Sequence, residues 1–215
     1  MSLQPEVDGS HRVFAQGKLM MKANTAICDV FNAYSTRLQA VLASADWTPV
    51  SHLVNEMARC WREGRQVFFC GNGGSAGNAI HLANDFIYGI AKQTGGGMRV
   101  QSLSANAAVI TCLANDVGYD RIYSEQLAVQ ACDGDLLVVL SGSGNSPNIL
   151  RSLEKAREMG MTSCAILGYG GGAAKALCDI PIHFPVDDMQ IAEDLQLVVG
   201  HMVMQYLFQE RATIR

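Results

Sequence analysis

Apolar residues recur along this chain with two different periods. From about Val13 to Leu42, Ile27, Val30, Phe31, Tyr34, Leu38 and Val41 follow one another at spacings of three and four, which predicts an amphipathic helix. A second helix is expected from Thr48 to Glu63, opened by Thr48-Pro49 and stopped by Gly64. The period then changes. Val67 to Cys70, Leu136 to Leu140, Ser163 to Leu167 and Ile180 to Phe184 are short apolar runs rich in β-formers and bounded by Gly, Asp or Pro, the pattern of buried parallel strands. Between them the spacing predicts helices over Ala76 to Ala91, Ala105 to Ala131, Pro147 to Met159 and Ala173 to Leu177. Such alternation predicts an α/β fold, a doubly wound parallel sheet flanked by helices.

The closing segment, about Gln190 to Arg211, is helical and apolar on nearly every side. Together with the N-terminal helices it carries more apolar surface than one sheet face covers, so a place in a subunit interface is expected for it. The whole chain, 1–215, reads as one domain: N-terminal helices over about 13–64, an α/β core over 65–189 and a C-terminal helix over 190–211. Gly95-Gly96-Gly97 and Gly170-Gly171-Gly172 read as loops, and no internal repeat is present.

Composition narrows the function classes. The formal net charge is −4 with no Lys/Arg block, which argues against a nucleic-acid or anionic-membrane surface. No apolar run approaches the roughly 18 residues of a spanning helix, and no export signal opens the chain. The seven cysteines lie in apolar stretches without CxxC spacing and read as reduced, buried small hydrophobes of a cytoplasmic protein.

Two turns carry the candidate chemistry. Cys70-Gly71-Asn72-Gly73-Gly74-Ser75 leads from strand to helix, and such a turn offers backbone N–H groups and a positive helix end to an anion. Gly71-x-Gly73-x-x-Ala76 also matches a dinucleotide fingerprint, but no Asp or Glu occurs from Phe86 through Asn115 to hold a ribose, and no Gly-Lys-Ser/Thr of a Walker loop is present. The second turn, Ser141-Gly142-Ser143-Gly144-Asn145-Ser146-Pro147-Asn148, ends a strand and starts a helix with Ser146 at the N-cap and Pro147 at the first helical position. Three hydroxyls without a lysine or arginine suit a phosphomonoester held by N–H and O–H donors.

These two loops, with Asn115-Asp116 and the apolar last helix, resemble the sugar isomerase (SIS) domain family over about residues 20 to 210. Within it the likeness is greatest to the phosphoheptose isomerases, with a non-catalytic DiaA-like adaptor second. The resemblance implies the SIS fold and an aldose–ketose isomerase acting on a phosphorylated sugar, best sedoheptulose 7-phosphate. It implies a homotetramer, with a non-catalytic adaptor and a sugar-phosphate sensor as the competing readings. It also assigns residues. Asn72, Gly73, Gly74, Ser75, Asn115, Asp116, Ser141, Ser143 and Ser146 would bind substrate, Asp85 and His201 would be the catalytic acid/base pair, and His81, Asp85, Glu193 and His201 would hold Zn2+.

The chain departs from the isomerase pattern at Asp85 for Glu, Glu193 for Gln, Gly89 for a common Arg and Gln190 for a common Asp. Eight residues rise about 12 Å along a helix, so Glu193 and His201 reach one ion only if Glu193 lies at a bent entry or a neighbouring subunit supplies a ligand.

Overall fold

The computed structural model describes residues 9–92 and 95–214, with side chains from residue 25. Its contacts divide into two units, one through Ala45 and one from Asp46. The first contains α1 (Gly9–Ser44), on which Ile27, Val30 and Phe31 are exposed. The second begins with α2 (Thr48–Glu63), whose limits are those the sequence predicts. Asp46 Oδ1 accepts the Thr48 N–H, which lowers the Asp46 carboxyl below its ordinary value. At the other end Gly64 takes a left-handed conformation, φ 67°, and its N–H reaches back to the last turn.

The core alternates β1 (Val67–Gly71), α3 (Gly74–Ile87), β2 (Val100–Ser102), α4 (Ala107–Asp116), α5 (Ser124–Gln130), β3 (Leu136–Ser141), α6 (Pro147–Glu158), β4 (Thr162–Leu167), α7 (Ala174–Leu177) and β5 (Ile180–His183). It closes with α8 (Met189–Gln209) and α9 (Arg211–Ile214). All five strands are parallel, in the order β2-β1-β3-β4-β5. Period-two alternation sends Phe68, Cys70, Leu137, Val139, Ala165 and Leu167 to the layer of α5 and α6, where they meet Leu127, Ile149 and Leu153. The other face carries α2, α3 and α8. There Phe69 stacks on Phe86 of α3 with ring centroids 5.9 Å apart.

Two sequence expectations need correction, and one strand lies outside them. The stretch from Ala105 to Ala131 is two helices, because Gly118 at φ 110° ends α4 and a 3-10 turn over Tyr119–Arg121 re-aims the chain into α5. Strand β2, an edge strand of three residues, is too short to show a period and went unpredicted. The cysteines are not all buried: Cys60, Cys70, Cys164 and Cys178 are, whereas Cys28, Cys112 and Cys132 are exposed. Burial pushes the Cys70 thiol up to about 12 and Cys60 and Cys178 to about 11, while the Asp116 hydrogen bond and charge raise exposed Cys112. Among the described residues no helix is long and apolar enough to cross a membrane.

Candidate active site

In the order β2-β1-β3-β4-β5 the chain leaves β1 outward to β2 and returns to β3 on the other side of β1. The connections after β1 and β3 therefore diverge, and open α/β sheets bind ligands in the crevice between such a pair. The two motif turns are these connections. A cleft of about 250 Å³ opens there, lined by Asn72, Gly73, Gly74 and Ser75 from the first turn, Ser141, Gly142, Ser143 and Ser146 from the second, and Leu140, Met189 and Glu193.

The hydroxyls in this cleft are set up as donors. Ser75 Oγ accepts from Gln196 Nε2 at 2.9 Å, Ser141 Oγ accepts the Gly144 N–H at 3.0 Å, and Ser143 Oγ accepts the Asn145 N–H at 3.3 Å. A hydroxyl whose lone pair is engaged in this way still has its proton to give to an anion. Ser146 stands at the N-cap of α6 but its side chain makes no capping bond, so its hydroxyl also stays available in the cleft. Close approach fixes the glycines. A Cβ on Gly71 would lie 2.7 Å from the Ser75 backbone, and one on Gly144, at φ 66°, would lie 2.0 Å from the Gly171 carbonyl oxygen. The Gly170–Gly172 run thus braces the second turn.

Asn72 is oriented by groups the sequence did not single out. Its Oδ1 accepts from Asn148 Nδ2 at 2.8 Å and from the hydroxyls of Tyr119 and Tyr123 at 3.2 and 3.3 Å. The Tyr123 hydroxyl also donates to the Gly71 carbonyl and pairs with Ser104 Oγ at 3.1 Å, and burial raises its pKa. The broken helix between α4 and α5 is what brings Tyr119 and Tyr123 here. Gln196, 1% exposed, is a second such residue: it takes the Asn78 amide at 2.9 Å and so locks α8 onto α3. A glutamine that follows Glu193 and Asp194 in an otherwise largely apolar helix is the one sequence signal it offered.

The proposed ion-binding and acid/base groups form a separate cluster on α3 and α8. The Nε2 atoms of His81 and His201 are 3.0 Å apart, and each lies 3.4 Å from Asp85 Oδ2. Gly200 makes this possible. A Cβ there would sit 2.3 Å from Leu82, so the two helices pack tightly one residue away from both histidines. Zinc binds nitrogen at about 2.0–2.1 Å, which sets tetrahedral donors about 3.3 Å apart; the spacing of these two imidazoles and one carboxylate fits such an ion. Among the described residues it is the group of His, Cys, Asp and Glu that could hold a metal.

Glu193 is not in it. It lies in the second turn of α8, not at a bent entry, and its carboxylate rests against Gly74 in the cleft. The structure does not bring Asn115 and Asp116 into the cleft either; they end α4 exposed, with Asn115 Nδ2 donating to Asp116 Oδ1 at 2.7 Å.

A family model described as the SIS domain matches residues 30–168. The phosphoheptose isomerase of Trichlorobacter lovleyi is 35% identical over 161 residues, 75% of this chain and 82% of the relative. That of Akkermansia muciniphila is 38% identical over 149 residues, 69% and 78% of the two chains. Among solved structures, a phosphoheptose isomerase from Francisella tularensis superposes with a TM-score of 0.81 at 24% identity, covering 86% of this chain and 98% of its own. The phosphoheptose isomerase of Neisseria gonorrhoeae superposes with a TM-score of 0.77 at 25% identity, covering 85% and 97%.

Proposed function

The chain belongs to the SIS domain family and, within it, to the phosphoheptose isomerases, and from that premise we propose that it converts sedoheptulose 7-phosphate into D-glycero-D-manno-heptose 7-phosphate. The observation that carries the reading is the pairing of an anion cleft rich in hydroxyl donors with a cluster of two histidines and an aspartate further along the same two helices. The phosphate enters at the switch point, against Ser75, Ser141, Ser143 and Ser146 and the backbone N–H groups of Gly73 and Gly74. Asn115 and Asp116 do not line this cleft, so a substrate contact from them would lie beyond the phosphate end or come from another copy of the chain.

From the level of Glu193 to that of His201 the helix rises about 12 Å. That spacing favours a long open-chain sugar phosphate, with its C1–C2 end at Asp85 and His201. There Asp85 takes the C1 proton and returns it to C2 through an enediol, while His201 moves the proton between O1 and O2. Asp85 Oδ2 faces both histidines, and Oδ1 turns toward Gly89, where a Cβ would be 3.7 Å away. Oδ1 is therefore the oxygen left for the carbon-bound proton. His81, Asp85 and His201 would hold Zn2+, which when bound supplies a Lewis acid for the sugar oxygens; with His201 Nε2 taken up by the ion, the proton between O1 and O2 would pass through another group.

The protein is read as a cytoplasmic homotetramer in which 1–215 acts as one SIS domain, with α1 and α8 in the interface. The adaptor and sensor readings give the Asp85–His201 pair no task. Incubation with sedoheptulose 7-phosphate should yield the aldose phosphate, faster with zinc than after chelation. No turnover of any five- to seven-carbon sugar phosphate in either condition would overturn the enzymatic reading.

A further inference from the structure

Asn148 is 1% exposed on the first turn of α6 and does not itself line the cleft. Its amide and that of Asn72 each donate to the other: Asn72 Nδ2 to Asn148 Oδ1 at 2.9 Å, and Asn148 Nδ2 to Asn72 Oδ1 at 2.8 Å. The pair joins the two turns that form the cleft, which leave the adjacent strands β1 and β3. Its polarity is set by the backbone. The Ile149 N–H, which can only donate, reaches Asn148 Oδ1 at 3.0 Å and so fixes which end of that amide is oxygen. Asn148 must then present Nδ2 to Asn72, and Asn72 must answer with Oδ1, which the Tyr119 hydroxyl also serves at 3.2 Å. Asn72 Nδ2 carries two protons and spends one on Asn148. Among the described residues no hydrogen bond takes the second, and Asn72 lines the cleft with Ser75, Ser141 and Ser146.

We propose that Asn148 is a positioning residue for substrate binding: it holds the Asn72 amide so that an N–H, and not the carbonyl oxygen, is offered to the phosphate. The inference rests on the isomerase reading for the identity of the anion. With Oδ1 turned to the cleft instead, Asn72 would meet the phosphate oxygens as an acceptor, and no lysine or arginine lines the cleft to offset the repulsion. The contact is made to a group that does not react. It therefore acts alike on bound substrate and transition state and is read in KM rather than in kcat.

The test is a double-mutant cycle of Asn72→Ala and Asn148→Ala, with inorganic phosphate titrated calorimetrically and KM and kcat measured for sedoheptulose 7-phosphate. Each single variant should bind phosphate about tenfold more weakly, with KM raised and kcat near wild type. The double variant should lose no more than either single one, because Asn148 acts only through Asn72. An Asn148 that served the fold alone would lower the unfolding midpoint and leave phosphate binding by the folded variant unchanged. Asn148→Asp, the isosteric change, gives an independent reading if the alanine variant does not fold. Its carboxylate can only accept and should bind phosphate weakly at about pH 8; the protonated carboxyl, favoured by burial, regains one donor and one acceptor, so the deficit relative to wild type should close toward about pH 5. Wild-type phosphate binding by folded Asn148→Ala, additive losses in the double variant, or an Asn148→Asp deficit that does not change with pH, each while wild type turns over substrate, overturns the proposal and leaves the isomerase reading standing. A wild type that neither binds phosphate nor isomerises sedoheptulose 7-phosphate overturns the isomerase reading and this proposal with it.

Discussion

Asp85 shares one oxygen between two imidazoles and leaves the other toward the open side of Gly89, so a single carboxylate is placed both to join a metal set and to handle a proton. Replacing it with Asn keeps the shape and removes the proposed base. Turnover should fall about 10²- to 10⁴-fold, with the thermal unfolding midpoint little changed, because the side chain is partly exposed and belongs to no core cluster. His201→Asn should cause a similar loss and also weaken zinc binding. Wild-type rates from either variant would remove that residue from the chemistry. Asp85→Glu separates two explanations of the shorter acid: activity that is kept or raised means reach is not limiting, and activity that falls means the site is built around Asp.

Helices α3 and α8 hold the site by two devices of different kind. At one end the polar chain Ser75–Gln196–Asn78 fixes their register; at the other, Gly200 against Leu82 fixes their separation. Leu82 is fully buried, so it has little room to withdraw from an added methyl group. Gly200→Ala should therefore cost about 1–3 kcal/mol of stability, despite the better helix propensity of Ala, and should push His81 and His201 apart. The expected readout is a lower unfolding midpoint together with at least tenfold weaker zinc binding. An Ala variant that binds zinc as tightly as wild type would show that the spacing of the histidines does not depend on this contact.

Each of the two long helices exposes large apolar side chains. Val30 and Phe31 on α1 are each 66% exposed, and Met202 and Tyr206 on α8 are 46% and 50% exposed. Scattered exposed apolar residues are normal, but repeated ones on the long helices fit surfaces shared between copies. Light scattering at micromolar concentration should give the mass of four chains, and Phe31→Asp should lower it. A monomeric wild type would exclude the homotetramer and any site completed by a second copy.

The class of fold and the two glycine- and serine-rich turns of the cleft were legible from sequence because both are local. Strand runs, helix periods and the α2 caps depend on neighbours within a few positions, and the glycines and serines that build the turns are contiguous. His81 and Asp85, one helical turn apart, were legible for the same reason. Their meeting with His201 was implied by the family resemblance; the reason for it, Gly200 giving way to Leu82, is a contact between residues far apart in the chain. The break at Gly118, the edge strand β2, and the recruitment of Tyr123, Asn148 and Gln196 behind the cleft were decided by packing, which no period in the sequence records. Glu193 shows the difference most sharply. Its position along α8 follows from the sequence, but whether its carboxylate serves a metal or an anion cleft depends on which turn of α3 lies beside it, and only the tertiary structure sets that register.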